Sequence, residues 1–153
     1  MTTPYHINFC FPIPQELENT QIRLTPFIPS EHAKFFFGEA RDEAIYEFPP
    51  WGPFNTFEEF LHTAIDKIQP NPAIVVFAVF NKATAMEPEE LAGMIGFLNA
   101  SPANLSIEIG YVITLPKFQC THVTLNAIGL LLHLALDTPE AGGLVYASGV
   151  EGQ

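Results

Sequence analysis

The sequence predicts an α/β protein of the α+β kind, a mixed and mostly antiparallel sheet flanked by helices, and three observations carry the prediction. PAIVVFAVFN, LAGMIGFLNA and SIEIGYVITL are β-branched and aromatic runs joined by the polar stretches KATAMEPEE and SPANL, the pattern of successive strands. Upstream, EHAKFFFGEA and TFEEFLHTAIDKI repeat their apolar residues at helical spacing. Downstream, THVTLNAIGLLLHLAL reads as a helix apolar on nearly every side, which belongs against a core. With 153 residues, 48 % of them hydrophobic, the chain is long enough for one core and one domain.

In chain order, residues 1 to 20 form an arm whose prolines and aromatics suit extended chain laid over a surface or into a groove, and residues 21 to 153 form the domain. QIRLTPFIP alternates as a first strand, with Ile22, Leu24 and Phe27 inward. Ser30 is placed to cap the helix through EHAKFFFGEA. A Pro/Gly/aromatic loop follows, after which Asn55 or Thr56 caps a helix carrying Phe57, Phe60, Leu61, Ala64, Ile65 and Ile68. The three runs named above supply the second, third and fourth strands. Alternation in the fourth puts Glu108, Gly110 and Val112 on one face and Ile107, Ile109 and Tyr111 on the other. Pro116 ends it, Thr121 is placed to cap a helix from His122 to Leu136, and DTPEAGG stops that helix before a last short strand, LVYAS.

Six basic against seventeen acidic residues leave a net charge of −11, which repels nucleic-acid phosphates and anionic lipid heads. The same charge permits a phosphorylated cofactor, because helix N-terminal N–H groups hold phosphate without Lys or Arg, and it favours a cationic or neutral substrate. No run reaches the roughly 20 apolar residues of a membrane span. The amino terminus lacks the basic start and apolar core of a signal peptide, so a cytoplasmic protein is expected. Cys10 and Cys120 are the sole cysteines, and the five histidines show no zinc spacing, so neither a disulfide framework nor a metal is expected.

LPKFQCTHVTLNA, residues 115 to 127, joins a strand to an apolar helix, where many folds bind phosphate, yet it has no glycine. Its residues support two readings: a pyrophosphate cradle from Gln119 to Thr124, or an ordinary turn capped by Thr121. Cys120 and His122 are the types for a nucleophilic pair, but close spacing rarely aims such side chains at each other, and buried packing is the commoner role of a free cysteine. His133 fits a core or interface position. Tyr46, Phe48, Trp51, Phe54 and Phe57 form an aromatic cluster in which Trp51, between Pro50 and Gly52, is the best placed to wall a ligand and Phe57 to pack a helix.

Successive strands FAVFN, LAGMIGF and IEIGYVI, then a Pro, an aromatic, a Gln and a helix carrying an alanine, resemble the GNAT acyltransferase superfamily. The nearest branch is that of the ribosomal-protein alanine acetyltransferases, and WGPFNTFEEFLHTAI is similar to a group in that branch common in fungi. The resemblance covers residues 21 to 146 and is most specific over 107 to 127.

It implies transfer of an acetyl or acyl group from acetyl-CoA or another acyl-CoA to an amine. The acyl group would lie against the backbone of Val112, Ile113 and Thr114. The pyrophosphate would lie in the loop Gln119, Cys120, Thr121, His122, Val123 and Thr124. There Gln119 takes the family's Gln/Arg position, His122 the central glycine and Thr124 the final Gly/Ala. Glu108 takes the place of a general base, and Trp51, Phe54 and Tyr111 that of the acceptor wall. The family's acid lies on a later part of the chain, so a C-terminally truncated domain lacking the usual last strands is expected, whether as a natural truncation, a spliced product or half of a swapped dimer, and a homodimer is expected. The other reading is a GNAT-derived protein without acetyltransferase activity, binding or cyclising an apolar metabolite or serving as a homodimeric interaction module.

Overall fold

The computed structural model describes residues 5–47 and 52–145. Five strands, β1 (Leu17–Glu18), β2 (Ile22–Pro26), β3 (Val75–Asn81), β4 (Glu90–Ser101) and β5 (Ser106–Thr114), form one antiparallel sheet in chain order. The expected sheet is thus present, with β1 added by the arm. Helices α1 (Lys34–Glu39), α2 (Phe57–Phe60), α3 (Asp66–Ile68) and α4 (Val123–Leu136) flank it. None of the described helices is long and apolar enough to cross a membrane.

Register assigns each face its cover. Leu24 pairs with Val79 and Phe77 with Ile95, while Val75 pairs with Phe97 and Phe97 with Ile109, so these residues share one face. That face carries α4 and part of the arm, where Phe9 stacks on Phe97 at 6.3 Å. Val76, Ala78, Phe80 and Met94 share the other face. The first helical segment packs there: Phe36 meets Phe27 edge-on at 6.0 Å, and His32 meets Phe80 at 5.5 Å. Phe36 and Phe37 then each pack on Phe60 at 5.8 Å, which brings α2 onto α1.

One of two helix starts follows its sequence signal and the other does not. Thr56 caps α2, its Oγ1 accepting the Glu59 N–H at 3.0 Å, while Glu59 Oε2 accepts the Asn55 N–H at 2.8 Å. Ser30 caps nothing. A π-turn, Pro29–Ala33, precedes α1, and the buried His32 takes the cap's role through Nδ1, which accepts the Ile28 N–H at 2.9 Å. The strand expected at 144 to 148 falls mostly outside the described residues. Its first residue, Leu144, is buried and donates its N–H to the Leu134 carbonyl at 2.8 Å, outside any strand.

Candidate functional site

Among the described residues β5 is a sheet edge, and it departs from regular pairing at Tyr111. Gly96 pairs with Gly110 and Met94 with Ile113, so Tyr111 and Val112 together stand opposite Ile95. Tyr111 has φ 51°, a left-handed conformation uncommon outside glycine, as one extra residue in a β-bulge requires. The expected alternation therefore holds only as far as Gly110. Beyond the bulge Ile113, 2 % exposed, joins the face of Glu108, and Val112 turns to solvent.

A second bulge sits on β4 at Asn99, also at φ 51°, between the pairs Leu98–Glu108 and Ser101–Ser106. Asn99 Nδ2 donates to Glu108 Oε2 at 2.8 Å and so fixes an otherwise exposed carboxylate. Past the bulge at Tyr111, toward the end of β5, the backbones crowd. A Cβ on Gly93 would overlap the carbonyl oxygen of Ile113 and lie 3.2 Å from the Thr114 Cα, so β5 runs hard against β4 there.

The loop after β5 is held at both ends by buried side chains, Phe118 and Val123, and exposes Gln119 to His122 between them. Gln119 Nε2 turns back to the Thr114 carbonyl at 3.2 Å, and the Thr114 and Thr124 hydroxyls meet at 2.6 Å. Thr121 Oγ1 donates to the Phe118 carbonyl and accepts the Val123 N–H at 3.4 Å, a long version of the expected cap. These bonds tie Gln119 and Thr124 to Thr114, the end of β5.

Cys120, at φ 58°, carries the left-handed turn, and it is exposed, against the packing role its type suggested. His122, on the family's glycine position, has φ −66° and needs no glycine. Its Nε2 bonds Asn81 Oδ1 at 2.8 Å, so the imidazole is engaged with β3 and not with Cys120. The loop contains no carboxylate, its backbone is exposed, and the first turn of α4 leaves N–H groups without partners in the helix. An exposed loop without a carboxylate, leading into such a turn, has donor chemistry that fits a pyrophosphate.

The aromatic wall is partly a packing unit. Phe54 is half-buried and meets Tyr46 edge-on at 5.8 Å and Phe60 at 5.4 Å, while Phe57 packs on Phe37 at 5.8 Å. The 3-10 turn Glu43–Tyr46 lies against β5, and burial pushes the Tyr46 phenol up to about 12. Tyr111, half-buried at the bulge, is also raised by burial. Trp51 and Phe48 lie outside the described residues. Glu108 stands four residues before Val112, roughly 13 Å along a strand. Sequence reasoning missed Asn81 and Asn99, whose signal was an amide at a strand end or inside a strand, where Asn is disfavoured.

A family model described as the acetyltransferase (GNAT) domain matches residues 21–149. The chain belongs to this family. No curated protein matches it. Among solved structures, it is similar to a GCN5-related N-acetyltransferase from Brucella melitensis, at 25 % identity and TM-score 0.69 over 84 % of this chain and 58 % of that one. A probable acetyltransferase of Chromobacterium violaceum shares the fold at 23 % identity and TM-score 0.72, over 90 % of this chain and 69 % of that one. So does the spermidine N-acetyltransferase of Vibrio cholerae in complex with CoA and spermine, at 19 % identity and TM-score 0.61, over 80 % and 68 %. The chain spans less than two thirds of the length of the Brucella protein.

Proposed function

We propose that the protein is an N-acyltransferase that moves an acetyl or acyl group from acyl-CoA to an amine. The observation that carries this reading is the continuous strip from Val112, Ile113 and Thr114 at the open edge of β5 to the loop Gln119–Thr124, tied by the Thr114–Thr124 hydroxyl pair. The loop backbone and the first turn of α4 would hold the pyrophosphate. Val112 to Thr114 would hold the acyl arm along the side of β5 that no described strand covers. The chemistry a bound acyl-CoA would supply is an activated thioester: the amine nitrogen would bond the acyl carbon, the C–S bond would break, and coenzyme A would leave as a thiolate that is neutralised by the proton lost from nitrogen. Glu108 would relay that proton through bridging water, given its fixed carboxylate and its distance along the strand from Val112. Tyr111 and Phe54, with Trp51, would wall the acceptor, and a net charge of −11 would draw a cationic amine toward it.

The finer placement follows the same line. WGPFNTFEEFLHTAI supports the branch of the ribosomal-protein alanine acetyltransferases and its fungal group, and the composition supports a cytoplasmic location. A homodimer is part of the proposal. Leu125, Leu132 and Leu136, exposed by 76 %, 44 % and 77 %, lie seven and four residues apart on one side of α4, a stripe that a second copy would cover. Calorimetric titration with acetyl-CoA tests the enzyme reading, and absence of heat at millimolar cofactor overturns it. Sedimentation tests the dimer, which a monomer at micromolar concentration would exclude.

A further inference from the structure

We infer that Asn81 is a positioning residue for the cofactor loop: it holds the His122 imidazole against the end of β3, which keeps the loop's anion site clear. The inference rests on the proposed acyl-CoA site. His122 occupies a place that the family gives to glycine, and a free imidazole there would share the space that a phosphate needs. In the structure Nε2 of His122 is 2.8 Å from Asn81 Oδ1. An amide oxygen only accepts, so His122 donates through Nε2–H.

The bond does not stand alone. Asn126 Nδ2 donates to the His122 carbonyl at 2.7 Å, and Asn19 Nδ2 donates to Asn126 Oδ1 at 2.8 Å. Asn19 Oδ1 in turn accepts the N–H groups of Gln21 and Ile22 at 2.8 and 2.9 Å. Three asparagines thereby tie the start of α4 to the β1–β2 turn and to the end of β3. The strands account for the placement. Asn81 pairs with Ile22, and β3 runs parallel to β5, so both end beneath the first turn of α4. With the backbone at His122 right-handed, the chain needs no glycine for its conformation. What it needs is somewhere to put the side chain, and Asn81 provides it.

The test compares acetyl-CoA dissociation constants for the wild type, Asn81→Ala, Asn81→Asp, His122→Gly and the double variant Asn81→Ala/His122→Gly. Asn81→Ala should weaken binding roughly fivefold to tenfold, on the scale of one hydrogen bond. Asn81→Asp keeps the acceptor but sets a carboxylate beside the phosphate site, so it should also weaken binding, and its loss, unlike that of Asn81→Ala, should shrink as salt is raised. In the double variant the loss should disappear, so that it matches His122→Gly alone, a coupling that a purely structural role for Asn81 would not produce. Wild-type binding with an unaffected Asn81→Ala overturns the inference and leaves the acyltransferase reading in place; wild-type protein that binds no acetyl-CoA overturns that reading. Nitrogen-15 spectra of the free protein give a second arm, because His122 should carry its proton on Nε2, and an Nδ1–H tautomer overturns the inference whatever the variants do.

Discussion

The hydroxyls of Thr114 and Thr124 lie 2.6 Å apart, and through them the last residue of β5 holds the second residue of α4. Either hydroxyl can be the donor, so the pair makes one hydrogen bond in either orientation. Thr114→Val or Thr124→Val should each cost about 1 kcal/mol in urea unfolding, since each leaves a partly buried hydroxyl alone. The double change to valine should cost no more than either single one. Additive losses would show that the two residues contribute separately.

Gly93 faces the backbone of β5 at Ile113 and Thr114, and a side chain there has nowhere to go. Gly93→Ala should lower stability by about 1–3 kcal/mol, the usual cost of overpacking. It should also weaken acetyl-CoA binding, because the strand it displaces is the one proposed to hold the acyl arm. A variant with wild-type unfolding midpoint would mean that the two strands are less tightly apposed than the structure shows.

Glu108→Gln keeps an oxygen for the Asn99 bond and removes the base. The expected outcome is a fall in kcat of about a hundredfold, at the low end for lost general-base catalysis, with KM for acetyl-CoA unchanged. An unchanged kcat would reduce Glu108 to a partner of Asn99 in the sheet.

Burial holds the His32 imidazole below its ordinary value; Glu31 opposes this and Arg23 adds to it. With the folded value lower than the unfolded one, the unfolded chain binds more protons between them. The stability that neutral His32 gives is then full above about pH 6.5 and fades as pH falls toward the folded value. His32→Asn keeps an acceptor for the Ile28 N–H and removes the titration. The stability difference between wild type and this variant should therefore shift toward the variant on acidification, as read by urea midpoints across that range, and a difference independent of pH would contradict the burial argument.

The layers of the fold were legible because hydrophobic runs, caps and turns agree with one another. Ile22, Leu24 and Phe27 are buried as their spacing predicts, and Thr56 caps α2 as its place before FEEF predicts. Faces were legible only up to Gly110, because a rule of strict alternation has no means of placing an extra residue at Tyr111. In the loop, residue types predicted a turn into α4 but not which residue would be left-handed. The left-handed turn fell on Cys120, and the side chain of His122 found its partner forty-one residues back at Asn81, a distance at which local pattern carries no signal. Ser30 shows the opposite failure: a residue with the right chemistry for a cap lost to His32, because the chain enters the helix through a π-turn.

The bulge at Tyr111 also decides how β5 keeps its place. Ile109 is committed to the face of Phe97, and Ile113 to the face of Met94, so one strand anchors in the packing on both sides of the sheet at once. A slip by one residue would expose both anchors together, which makes the misaligned pairing costly even though no described neighbour braces the strand from outside. The open edge is thereby kept in register from within, and the surface proposed to take the acyl arm is set by packing alone.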